Sequence, residues 1–169
     1  MEFVADGLLV LFHVLFATLW FGGAAYQVLI IGRALMAAGP QATGFMLALA
    51  KRGGIGKYFA LNGALTIVFG AILFGRETSR GGLEPMEGRG LWLSLGATVA
   101  VLAYLHGLMV NMPTEKKWLA LCNGIQGAPT PTQGKQMGEF GQKLGKAGAH
   151  SAIMVGVALL LMLMGRVFV

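Results

Sequence analysis

Charged side chains are scarce along this 169-residue chain: Asp, Glu, Lys and Arg make up 12% of it, against 56% hydrophobic residues. A soluble domain carries about a quarter charged residues, so an ordinary soluble fold is excluded and an integral membrane protein is expected. A single cysteine, Cys122, offers no disulfide framework, and its expected place is an unremarked loop. No carboxylate interrupts the long apolar runs, no Ser-His-acid set shares one depth, and no glycine-rich loop joins a strand to a helix. Hydrolysis and phosphate chemistry are therefore disfavoured. Nucleic acid is not an expected partner, because no basic stretch outside those runs is interleaved with aromatic residues.

What is present is apolar length. Four runs, Gly7 to Gly32, Tyr58 to Gly75, Gly90 to Met112 and Ala147 to Gly165, approach or exceed the requirement for crossing a bilayer, about 20 residues. The expected fold is an all-α membrane protein, a four-transmembrane-helix bundle forming one domain over residues 1–169. The first run could pass for a secretory signal. It is preceded by Glu2 and Asp6 without lysine or arginine, and it far exceeds a signal core of roughly 7 to 15 residues, so it is expected to stay in the mature chain.

Basic residues set the expected orientation. Arg33, Lys51, Arg52 and Lys57 follow the first run, and Lys116, Lys117, Lys135, Lys143 and Lys146 precede the last, nine in all. The opposite side has four: Arg76, Arg80, Arg89 and Arg166. Both termini are thus expected on the non-cytoplasmic side of an inner, cytoplasmic membrane, and the net charge of +6 reflects this bias and contact with anionic lipid.

The connecting segments add local detail. Phe45, Met46 and Leu49 recur at helical spacing before Lys51 and Arg52, which predicts a short helix on the inner surface. Arg76 to Arg89 is glycine-rich and contains Pro85, as a compact turn would be. Gly127 to Gly134 reads GAPTPTQG, a breaker cluster separating a short helix around Trp118 from a last helix that begins near Thr132. Along that helix Gly134, Gly138, Gly141, Gly145 and Gly148 share one face, where two backbones can approach closely, while Glu139, Lys143, Lys146 and His150 share the opposite one.

The chain's three histidines, His13, His106 and His150, all lie within or at the rim of apolar runs. An imidazole in lipid is costly unless a partner offsets it, which makes each a candidate functional residue. A rise of about 1.5 Å per residue places His106 and His150 in the same inner leaflet, where they can face one another. Tyr26, Gln27, Asn62, Tyr104 and Asn111 fall at a similar depth, and unpaired polar groups are expensive there. His150 is equally readable as the last polar residue of an amphipathic extension, snorkelling at the interface. His13 lies in the outer half and shares a stripe with Trp20 and Gln27 at seven-residue spacing.

Two imidazoles are the axial set of a low-spin haem suited to electron transfer. His106 and His150 are the expected pair. Tyr26, Gln27, Asn62 and Tyr104 would orient them or meet the propionates, and Arg33, Arg52 or Lys57 would neutralise those groups. His13 is left for a second haem, a quinone site or a structural hydrogen bond. A copper reading uses sulfur instead: Met109 and Met112 follow His106 at steps of three, Met154 follows His150 at four, and imidazole with thioether selects Cu(I). Methionine also fills apolar cores, the better reading of Met162 and Met164.

His13, Trp20, Gly23 and Tyr26, in HVLFATLWFGGAAY, resemble the first helix of the HemJ-type protoporphyrinogen oxidases and of the CopD-like copper-resistance membrane proteins, and Trp92, Tyr104 and His106, in LWLSLGATVAVLAYLH, resemble the corresponding third helix of the HemJ-type family. Where the HemJ-type pattern has an arginine after the first-helix tyrosine and a lysine after the third-helix tryptophan, this chain has Gln27, Val28 and Leu29, then Ser94, Leu95 and Gly96. Its last helix offers His150 in place of that family's Asn-Glu-x-Pro feature. What the resemblance implies is a four-helix scaffold with haem b, or copper, rather than the oxidase reaction. A third class stays open, a cofactor-free accessory subunit that packs against itself or a larger membrane complex through its glycine faces.

Overall fold

A computed structural model describes residues 2–52, 54–125 and 129–167. Residues 126–128 of the breaker region, and the side chains of Met46, Lys51 and Arg166, lie outside the described residues. Every regular element among them is helical: α1 (Glu2–Tyr26), α2 (Gly32–Ala38), α3 (Thr43–Arg52), α4 (Ile55–Ser79), α5 (Gly88–His106), α6 (Met112–Asn123) and α7 (Pro131–Val167). Four continuous helical runs, Val4–Ala38, Ile55–Ser79, Gly88–Asn123 and Pro131–Gly165, are long and apolar enough to cross a membrane. In hydrocarbon each backbone N–H and C=O needs a partner within the segment, which a helix supplies.

The first and third runs are not uniform helices. A π-turn over Gln27–Ile31 joins α1 to α2, and another over Gly107–Asn111 joins α5 to α6. Pro113 explains the second: it stands in the first turn of α6 without an N–H and with a ring that crowds the preceding turn. At the start of α7, Thr130 Oγ1 accepts from the Gln133 N–H at 3.3 Å and Gln133 Oε1 accepts from the Thr130 N–H at 2.9 Å. This reciprocal cap, with Pro131 in the first helical position, fixes where the helix begins.

The bundle is built from two close pairs, α1 with α4 and α5 with α7. Trp20, Ala100, Ala103, Val155 and Ala158 form the buried core, with Tyr104, Met154 and Met162 among the residues packed on it. Since lipid is as apolar as leucine, helices gain from close approach rather than from burying leucines. Gly96 provides it: a Cβ there would lie 2.7 Å from Met162 Cγ and 3.0 Å from the Ala158 carbonyl oxygen. The expected glycine face of α7 does not serve this purpose, because no described residue lies within 4 Å of a Cβ at Gly134, Gly138, Gly141, Gly145 or Gly148.

Both ends are tied off. At one, Asp6 pairs with Arg76 Nε at 2.8 Å and with Arg80, Leu83 is buried, and Ser94 donates to the Pro85 carbonyl at 2.7 Å. The turn expected between Arg76 and Arg89 therefore folds onto α5. At the other end α3, the short amphipathic helix, lies against α6, and Trp118 and Cys122 are buried. Cys122 is thus a helical, buried residue of α6 rather than a loop thiol. The Glu115 carboxylate covers the first turn of α4, where a Cβ on Gly56 would fall 2.6 Å from its Oε2.

Candidate functional site

Two groups of polar side chains stand out along the spans, the second of which includes His150, an exposed residue. The first lies between α1 and α4. Along α4, Tyr58, Asn62, Thr66 and Gly70 follow at steps of four and so share a face. The Tyr58 hydroxyl donates to the Leu19 carbonyl at 2.7 Å, the Asn62 amide to the Tyr58 carbonyl at 2.8 Å, and the Thr66 hydroxyl to the Asn62 carbonyl at 2.7 Å. His13 Nδ1 lies 2.9 Å from the Thr66 carbonyl oxygen. A carbonyl only accepts, so Nδ1 carries a proton. The ring fits because Gly70 has no side chain: a Cβ there would be 2.8 Å from His13 Cε1.

Trp20 and Tyr104 belong to the same packing. Their rings meet edge to face at 6.3 Å, over Gly63, whose Cβ would lie 2.7 Å from Tyr104 Cδ2 and 3.2 Å from Trp20 Cε2. Asn62 and Thr66 are each 6% exposed and bond within their own helix.

The second group lies where α5 passes into its π-turn beside α7. The rings of His106 and His150 stand 6.4 Å apart, centre to centre, at 74° between planes. His106 Nδ1 and Asn111 Nδ2 each lie 3.0 Å from the Ser151 hydroxyl oxygen. In an α-helix a residue five positions on is turned by about 140°. The i→i+5 bonding of the π-turn brings Asn111 back toward the face of His106, the kind of local irregularity found at functional sites. The same unwinding leaves Met109 outside the group, 74% exposed.

The structure therefore brings His106 and His150 together and adds Ser151 and Asn111 to them. It keeps His13, Trp20, Asn62 and Tyr104 in the helix–helix packing just described. Tyr26 is 58% exposed, and Gln27 is half-buried at the start of the first π-turn. Ser151 was not singled out by sequence reasoning; its one signal is a hydroxyl next to His150 inside an apolar run.

Two imidazoles bound on opposite sides of one metal at about 2 Å each hold their ring centres about 6 Å apart, against 6.4 Å in this edge-to-face pair. Among the described residues no cluster of three or more His, Cys, Asp or Glu could hold a metal ion. Comparison with protein-family models, curated proteins and solved structures finds no match to this chain.

Proposed function

We propose that this protein is a membrane redox protein in which His106 and His150 supply both axial imidazoles of one b-type haem. The spacing of 6.4 Å between the two rings carries this reading. Haem iron takes four ligands from its macrocycle and leaves two axial positions, which the pair would fill, and a bis-imidazole iron suits electron transfer. Arg33, Arg52 and Lys57 are exposed on the elements at that end and would meet the propionates. The surroundings are lipid, with a quinone or a protein redox partner exchanging electrons. Both termini face away from the cytoplasm, on the nine-to-four division of basic residues.

A Cu(I) centre is the second reading, because a facing pair of imidazoles suits copper as well as iron. A reduced-minus-oxidised visible spectrum of protein purified from haem-supplemented cells tests both. Haem α and Soret bands that vanish in His106→Ala and in His150→Ala support the proposal. Colourless protein retaining copper replaces haem with Cu(I), and protein with neither overturns the proposal in favour of an accessory role.

A further inference from the structure

The Ser151 hydroxyl has one proton and two lone pairs, and two groups contact it: the Asn111 amide, which donates, and His106 Nδ1. If Ser151 donates to Nδ1, its proton and one lone pair are used and the His106 proton sits on Nε2. If Nδ1 donates instead, the hydroxyl proton needs another acceptor. One stands ready: Asn111 Oδ1 is buried and has no hydrogen-bond partner among the described residues. Turning the amide by half a rotation exchanges Oδ1 for Nδ2 and lets Oδ1 accept from Ser151.

Metal ligation through Nε2 demands the second arrangement, since that nitrogen must be bare. Resting on the metal-binding role proposed above for His106, we infer that Ser151 and Asn111 are positioning residues that form a two-state relay. In the metal-free protein Asn111 Nδ2–H donates to Ser151, and Ser151 O–H donates to His106 Nδ1. In the ligated protein the order reverses, from His106 Nδ1–H to Ser151 and from Ser151 O–H to Asn111 Oδ1. The buried oxygen left unpaired in one state is the acceptor of the other. The π-turn gives the relay its geometry, because it brings Asn111 toward the face of His106.

The tautomer is directly measurable by ¹⁵N NMR of the full chain labelled at histidine, metal-free in detergent, about two pH units above the ordinary imidazole pKa. His106 is expected to carry its proton on Nε2 in the wild type. Asn111→Asp replaces the donor with a carboxylate that only accepts, so the His106 proton should move to Nδ1 without any metal. A wild-type proton already on Nδ1, or a tautomer unchanged by Asn111→Asp, overturns the relay. Asn111→Ala should keep the metal-free tautomer yet bind hemin or Cu(I) about tenfold more weakly, because the ligated state loses its acceptor. Equal affinity would overturn the link between tautomer and ligation. Wild-type protein that takes up neither hemin nor Cu(I) refutes the metal reading, while the tautomer comparison still decides the relay. Helicity by circular dichroism distinguishes these effects from misfolding.

Discussion

Replacing Gly70 by alanine tests the packing between α1 and α4 in a way a simple deletion does not. The added methyl would fall 2.8 Å from His13 Cε1 and 3.0 Å from Nδ1, so the imidazole must move off the Thr66 carbonyl. Overpacking costs about 1–3 kcal/mol, and a polar contact between membrane helices adds about 0.6 kcal/mol when lost. Alanine returns about 1 kcal/mol as the better helix former. The net expectation is a destabilisation of about 1.5 kcal/mol, roughly a tenfold shift in the unfolding equilibrium. In a His13→Ala background the ring is gone, and the same methyl should be neutral or stabilising. Reversible unfolding in bicelles, read for the four proteins of this double-mutant cycle, gives the coupling directly. A Gly70→Ala cost that is equally large without the imidazole would refute the contact.

Further expectations follow from the same packing. Gly96→Ala must push against the Ala158 carbonyl, which cannot rotate away, and should cost about 1–3 kcal/mol in the same unfolding assay. Gly141→Leu, by contrast, meets open space; helicity and any bound chromophore should be unchanged, and a loss of either would show that the glycine face is covered. Lys143→Cys should react with a membrane-impermeant thiol reagent only in inside-out vesicles, and labelling from the outer face would reverse the proposed orientation.

The four spans were legible because hydropathy over long segments is a strong signal, and the start of α7 because the breaker cluster Gly127 to Gly134 marks it. Glycine positions were legible as bare backbone, but not what would fill them. The regular stripe on α7 meets no described residue, whereas Gly63, Gly70 and Gly96 accept an aromatic ring, an imidazole and a facing helix. Local spacing cannot distinguish these cases, since the neighbours come from distant sequence. Met109 shows a second limit: three residues beyond His106 would share its face in an α-helix, and the π-turn removes it. Ser151 shows a third. Hydroxyls in helices commonly bond back to their own turn, as Thr66, Thr98 and Thr114 do here. Only the structure reveals that Ser151 instead reaches across to His106.

The most direct test of the central claim is the paramagnetic resonance spectrum of the oxidised, purified protein. Two imidazoles on one iron with their planes at 74° predict a strongly anisotropic low-spin ferric haem signal. Either His106→Ala or His150→Ala should convert it to high-spin iron or remove the haem. A wild type without ferric haem, or a low-spin signal that survives in both variants, would contradict the account.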